Sequence, residues 1–132
     1  MFKFAEPLTE KIKIILSQTA VIALVVIIGT IIDWLAHTSR EEFAVPFIYF
    51  PNKIIFGIFW GLIALRLMRY FTRNPYWLAV WVFFWVALIL QMKYWLLGYE
   101  LWFVWLFMLL HWLMFLVPAL FIFPKNKHII AR

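Results

Sequence analysis

An all-α, polytopic membrane protein, with four transmembrane helices in a compact antiparallel bundle, is the fold class this sequence predicts. Three observations carry the prediction. Of the 132 residues 67% are hydrophobic and 14% charged, against about 25% charged in soluble domains. The apolar residues gather into four runs of about twenty, each enough to cross a hydrocarbon core of about 30 Å. Those runs nearly fill the chain, so residues 1–132 are expected to form a single transmembrane domain with no extramembrane domain beside it.

The lead "MFKFAEPLTEKIK", residues 1–13, alternates apolar residues with Lys3, Lys11 and Lys13, which predicts a short amphipathic segment in the membrane interface. Thr9 is its expected helix cap. Span one covers about 14–36. It is longer than the hydrophobic part of a signal peptide and lacks a small-x-small cleavage pattern, so it is read as retained. The loop 37–52 follows, and span two covers about 53–71. "RYFTRNPYW" turns the chain into span three, about 76–97, with Pro75 placed at the start of the helix. A helix running unbroken through 76–123 would far exceed the bilayer thickness, so the chain must reverse at Gly98 and continue as span four, about 99–123.

Basic residues near span ends predict orientation. Lys3, Lys11, Lys13, Arg66, Arg69, Arg73, Lys125, Lys127 and Arg132 fall on one side, and Arg40, Lys53 and Lys93 on the other. Both termini are therefore expected in the cytoplasm and the 37–52 loop outside it. The formal charge of +6 sits in short clusters at span edges rather than along one polar face, which points to anionic lipid head groups and away from nucleic acid.

In span one, Thr19, Ala23, Thr30, Asp33 and His37 keep within a stripe of roughly 80°. Small and polar residues on one face are expected to look into the bundle. Span two repeats the pattern with Lys53, Gly57, Gly61, Ala64 and Met68, and Gly57-x-x-x-Gly61 is a candidate close-packing face, within one chain or between copies. In span four Glu100 and His111 share a face about 16 Å apart in depth. His111 lies near mid-membrane, where an ionisable group is a functional candidate; the structural alternative is a neutral ring bonded to Trp, Thr or the Met114 carbonyl that Pro118 leaves free.

Asp33, His37, Glu41, Lys53, Lys93 and Glu100 form the candidate polar or ion-binding cluster, open to three readings. Asp33 pairs with Lys53 or Lys93 at a wet helix end; Asp33 and His37, four apart, chelate a metal with Glu41 or Glu42; or Asp33, His37 and Glu100 line a proton or ion path. Thr38-Ser-Arg-Glu41 and Ser39-Arg-Glu-Glu42 each fit a capping box and would start a short surface helix. The aromatic stretch "FAVPFIYFPNK" is expected along the interface, as a docking place for a partner or substrate. A haem held by two histidines is excluded, because His37 and His111 lie at different depths. Arg66, Arg69 and Arg73 are membrane-edge anchors and candidate lipid-phosphate contacts. The tryptophans of spans three and four exceed what interfacial belts need and either fill space or form a wall for a lipid, quinone or isoprenoid chain.

Without cysteine there is no thiolate chemistry and no disulfide. No nucleophile–base or phosphate-loop motif is present. No cofactor is therefore expected, although a metal ion or bound lipid remains open. The leading expectation is a non-catalytic helical-bundle component that self-assembles or joins other membrane subunits. The alternatives are a proton- or cation-conducting homo-oligomer and a lipid- or metal-binding protein with an outward Asp/His/Glu cluster.

Overall fold

The computed structural model describes residues 7–123. Four helices account for nearly all of them: α1 (Leu8–Thr38), α2 (Tyr49–Phe71), α3 (Pro75–Leu96) and α4 (Leu101–Ile122), with a single 3-10 turn at Glu41–Phe43 in the one long connection. Each helix is long and apolar enough to cross a membrane. At most 33% of the most apolar stretch of any helix is buried inside the bundle. Helices that are hydrophobic all round and yet leave most of that surface uncovered match a lipid surrounding.

Several boundaries differ from the sequence expectation. The chain enters α1 at Pro7, whose fixed φ of −57° suits a helix start, so Thr9 sits inside the first turn and caps nothing. The interfacial segment expected over 1–13 is thus continuous with α1 from Leu8 onward, and residues 1–6 lie outside those described. Neither capping box forms. The hydroxyls of Thr38 and Ser39 bond back to the carbonyls of Trp34, Leu35 and Ala36 at the end of α1. The 3-10 turn then begins after Arg40 with no side-chain cap. Unfilled carbonyls one turn back are nearer to a Ser or Thr hydroxyl than the amides of the next element. Gly98 turns α3 into α4 with φ 85°, a left-handed conformation that suits glycine.

The helices lie with α1 and α4 at the centre. α1 packs on both α2 and α4, α3 packs mainly on α4, and α2 and α3 scarcely touch. Glycines explain the first contact: a Cβ on Gly57 would meet Val26 of α1 at 3.0 Å, and one on Gly61 would meet Ile22 at 3.2 Å. Alanines explain the second, since Ala79 and Ala87 are fully buried on the α3 face toward α4, where the Trp112 indole donates to the Val80 carbonyl at 3.0 Å. The buried side of α1 runs through Gln18, Ile22, Val26, Gly29, Asp33 and His37. Thr30 is buried beside this line, and Thr19 and Ala23 stand half-buried at its edge.

The end of the bundle carrying residues 39–48 is called the loop end, the opposite one the termini end. Toward the termini end, Ile22, Leu65, Met68, Phe83, Ala119 and Ile122 build one core from all four helices. Toward the loop end a smaller aromatic core gathers Phe43, Phe103 and Phe107. Where α2 and α3 part, a cavity opens.

Candidate functional site

That cavity is a cleft of about 610 Å³ between α2 and α3 with α4 as its floor. The α2 wall is one helix face, Tyr49, Asn52, Lys53, Phe56, Gly57 and Trp60 at steps of three and one. Val86, Leu90, Gln91, Lys93 and Tyr94 line the α3 wall, and Phe103, Phe107, His111, Met114 and Phe115 the floor. The volume falls in the range of sites for drug-sized molecules. Its lining stops at Trp60, Val86 and Phe115, where the Phe115 ring stacks at 5.4 Å on Phe83 of the packed core. The cleft therefore ends blind at mid-depth.

Polar groups collect at its loop end. Asp33 is 0% exposed, and Lys53 reaches across from α2 to place Nζ 2.8 Å from its Oδ2. The approach is off the hydrogen-bond axis, so the pair is held by charge and each group keeps unused hydrogen-bonding capacity. Two buried opposite charges offset each other, and either alone would be costly. Lys93, by contrast, is exposed at the lip of the cleft and has no acidic partner among the described residues.

His37, four residues beyond Asp33, sits with Nε2 3.7 Å from Asp33 Oδ1. Its Nδ1 donates to the Phe43 carbonyl at 2.5 Å. A carbonyl only accepts, so the proton belongs on Nδ1 and Nε2 faces the carboxylate. The rings of Tyr49, Phe50, Phe103 and Phe107 enclose the imidazole at centroid distances between 5.1 and 6.2 Å. His37 thus fastens the 3-10 turn to the bundle. Replacing it with leucine keeps the bulk but strands the buried Phe43 carbonyl, at a cost of about 1–3 kcal/mol. Hydrogen exchange over residues 39–48 should accelerate in His37→Leu; unchanged protection would remove this role.

The remaining candidates separate. Glu100 lies apart from Asp33 and His37, bonded to Arg40 at 3.2 Å and to the Trp102 indole in an exposed belt. Arg40 also meets Glu42 at 3.1 Å; the two carboxylates, Glu42 first, raise the pKa of its guanidinium. Glu41 faces a second depression, lined by Trp34, His37, Thr38 and Phe47. Among the described residues no three His, Asp or Glu side chains converge as a metal-binding group, and the Asp33 oxygen away from His37 already has the Lys53 cation beside it.

His111 lines the cleft floor. Its Nδ1 bonds to the Phe107 carbonyl at 2.6 Å and lies 3.3 Å from Gln91 Nε2. The partner is thus the carbonyl one turn before it rather than the Met114 carbonyl near Pro118. At the termini end Arg66 donates to Gln18 at 3.2 Å, Arg69 donates to the Ile122 carbonyl at 3.2 Å, and Arg73 is exposed.

Sequence reasoning overlooked Gln91, Gln18, Tyr49 and Tyr94. Gln91 had a signal: it is fourth in the stripe Ala79, Phe83, Ala87, Gln91, and that whole stripe is buried. No protein-family model, curated protein or solved structure matches the chain.

Proposed function

We propose that this protein is a non-catalytic membrane component, a four-span bundle whose α2–α3 cleft holds a lipid-like amphiphile entering from the side. The observation that carries this reading is the cleft's shape and lining together: polar at the loop end, apolar and aromatic below, and closed at mid-depth. A lipid has that same sequence of chemistry along its length. The mostly uncovered helix faces leave room for further copies or other membrane subunits. The excess of basic residues at the termini end assigns that end to the cytoplasm, so the cleft mouth belongs to the other leaflet.

Less supports the alternatives. A conduction path through one chain needs an opening at both ends, whereas the cleft lining stops at the Phe83–Phe115 stack. A metal site needs a third ligand beside Asp33 and His37, and among the described residues no three His, Asp or Glu side chains converge.

Photocrosslinking tests the reading. In vesicles containing a phospholipid with a diazirine on its acyl chain, adducts should concentrate on Phe56, Trp60, Val86 and Leu90. They should exceed those on Leu24 and Ile31 of α1, which are as exposed but face no cleft. Even labelling of both sets would contradict it.

A further inference from the structure

Charge is divided unevenly between the two ends of the bundle. Among the described residues the loop end sets Arg40, Lys53 and Lys93 against Asp33, Glu41, Glu42 and Glu100, whereas the termini end sets Lys11, Lys13, Arg66, Arg69 and Arg73 against Glu10 alone. Glu10 is taken by Lys13 at 2.8 Å. The surplus is therefore cationic and lies at the end opposite the cleft mouth.

Arg66 differs from the other cations there because the fold positions it. From α2 it donates to Gln18 Oε1 on α1 at 3.2 Å, and Gln18 is 8% exposed, so the acceptor is fixed in the packed wall. That bond occupies one nitrogen. The rest of the guanidinium is exposed, and no carboxylate pairs with it among the described residues. Arg69, three residues on and bordering the same narrow hollow between α1, α2 and α4, adds a second positive charge on that face, held by its own bond to the Ile122 carbonyl. Like charges placed so repel, and an anion beside them offsets the cost. Arg66 also lies about 8 Å inward from the helix end at Phe71. At that depth a long side chain reaches outward to the level of lipid head groups.

We infer that Arg66, positioned by Gln18 and backed by Arg69, binds the phosphate of an anionic phospholipid in the leaflet at the termini end. A planar fork held at one nitrogen suits a phosphate, which it can meet through two parallel bonds. A zwitterionic head group brings its own ammonium, which would find cations here and no unpaired carboxylate. This lipid is separate from the one proposed for the cleft, and neither site depends on the other. It lies open to the bilayer and exchanges with it, so it is read in the membrane rather than after extraction.

The test is photocrosslinking of the whole protein in vesicles of equal phosphatidylglycerol and phosphatidylcholine, with a diazirine near the glycerol end of one lipid or the other. Adducts on Leu67 and Tyr70, exposed beside Arg66, should be about fivefold more abundant with the phosphatidylglycerol probe. Arg66→Gln should bring that ratio below about twofold, and so should Gln18→Leu, which keeps every charge but removes the acceptor that positions Arg66. Lys11→Gln, the same charge loss at an exposed site on the same end, should leave it in place. No preference in wild type overturns the site without needing a variant that folds. Equal losses in Arg66→Gln and Lys11→Gln would replace it with attraction to the whole charged end, and a ratio unmoved by Gln18→Leu would remove the positioning role. Millimolar inorganic phosphate at constant ionic strength should leave the adducts unchanged; their loss would make the ligand a free anion instead of a lipid.

Discussion

Asp33→Ala should destabilise the bundle by about 3–5 kcal/mol, the cost of removing one member of a buried ion pair. The loss is that large because Lys53 has nowhere else to go. Its ammonium lies buried 2.8 Å from Asp33 Oδ2, with no other carboxylate paired to it among the described residues. Lys53→Met should cost a similar amount by stranding the carboxylate. The double replacement Asp33→Leu with Lys53→Met should recover most of the loss, since an apolar pair of similar volume has no charge to bury. Thermal unfolding of all three variants in the same detergent checks this. A single variant as stable as wild type, or a double variant no better than the singles, would show that the pair does not join α1 to α2 as described.

The second large effect is expected at Gly61, deep in the bundle. A Cβ there would lie 3.2 Å from both Ile22 of α1 and Phe115 of α4, closer than carbon atoms normally pack. Gly61→Leu drives a whole side chain into that space, where overpacking costs about 1–3 kcal/mol and forces the helices apart. Gly98→Ala makes the useful contrast. A Cβ at Gly98 meets nothing within 4 Å, so its cost, about 1–2 kcal/mol, comes from the left-handed backbone alone. Gly61→Leu should therefore disturb helix packing, seen as altered spacing between probes on α1 and α2, whereas Gly98→Ala should lower stability with that spacing intact. Unchanged packing in Gly61→Leu would mean that α1 and α2 are not held at this contact.

Helix count and order were legible from the sequence because twenty-residue apolar runs and the turn residues Pro75 and Gly98 act locally. The ends were less so. Thr9, Thr38 and Ser39 each offered a capping hydroxyl, and which backbone group such a hydroxyl meets depends on where the chain goes next. The grouping of Asp33 with His37 follows from one helix and was readable; the partner of Asp33 was narrowed to two lysines and chosen by how α2 packs. Glu41 was grouped with them by its four-residue spacing, which the end of α1 at Thr38 interrupts. Glu100 was grouped by depth, which says nothing of position around the bundle, and it pairs with Arg40 instead. Gln91 was missed since a single amide in an aromatic helix carries little weight until the helix's buried side is known. The cleft was not legible at all, as it arises because α2 and α3 scarcely touch.

A lipid held in that cleft is the central claim, and counting bound lipid in wild type and Val86→Trp tests it most directly. Val86 is 42% exposed and lines the apolar half of the cleft, so an indole there fills the space without entering the packed core. After exhaustive detergent exchange, wild type should keep about one phospholipid per chain, as expected of a small, largely pre-formed site, and Val86→Trp should keep almost none while folding normally. Equal lipid content in the two proteins would contradict a lipid site between α2 and α3.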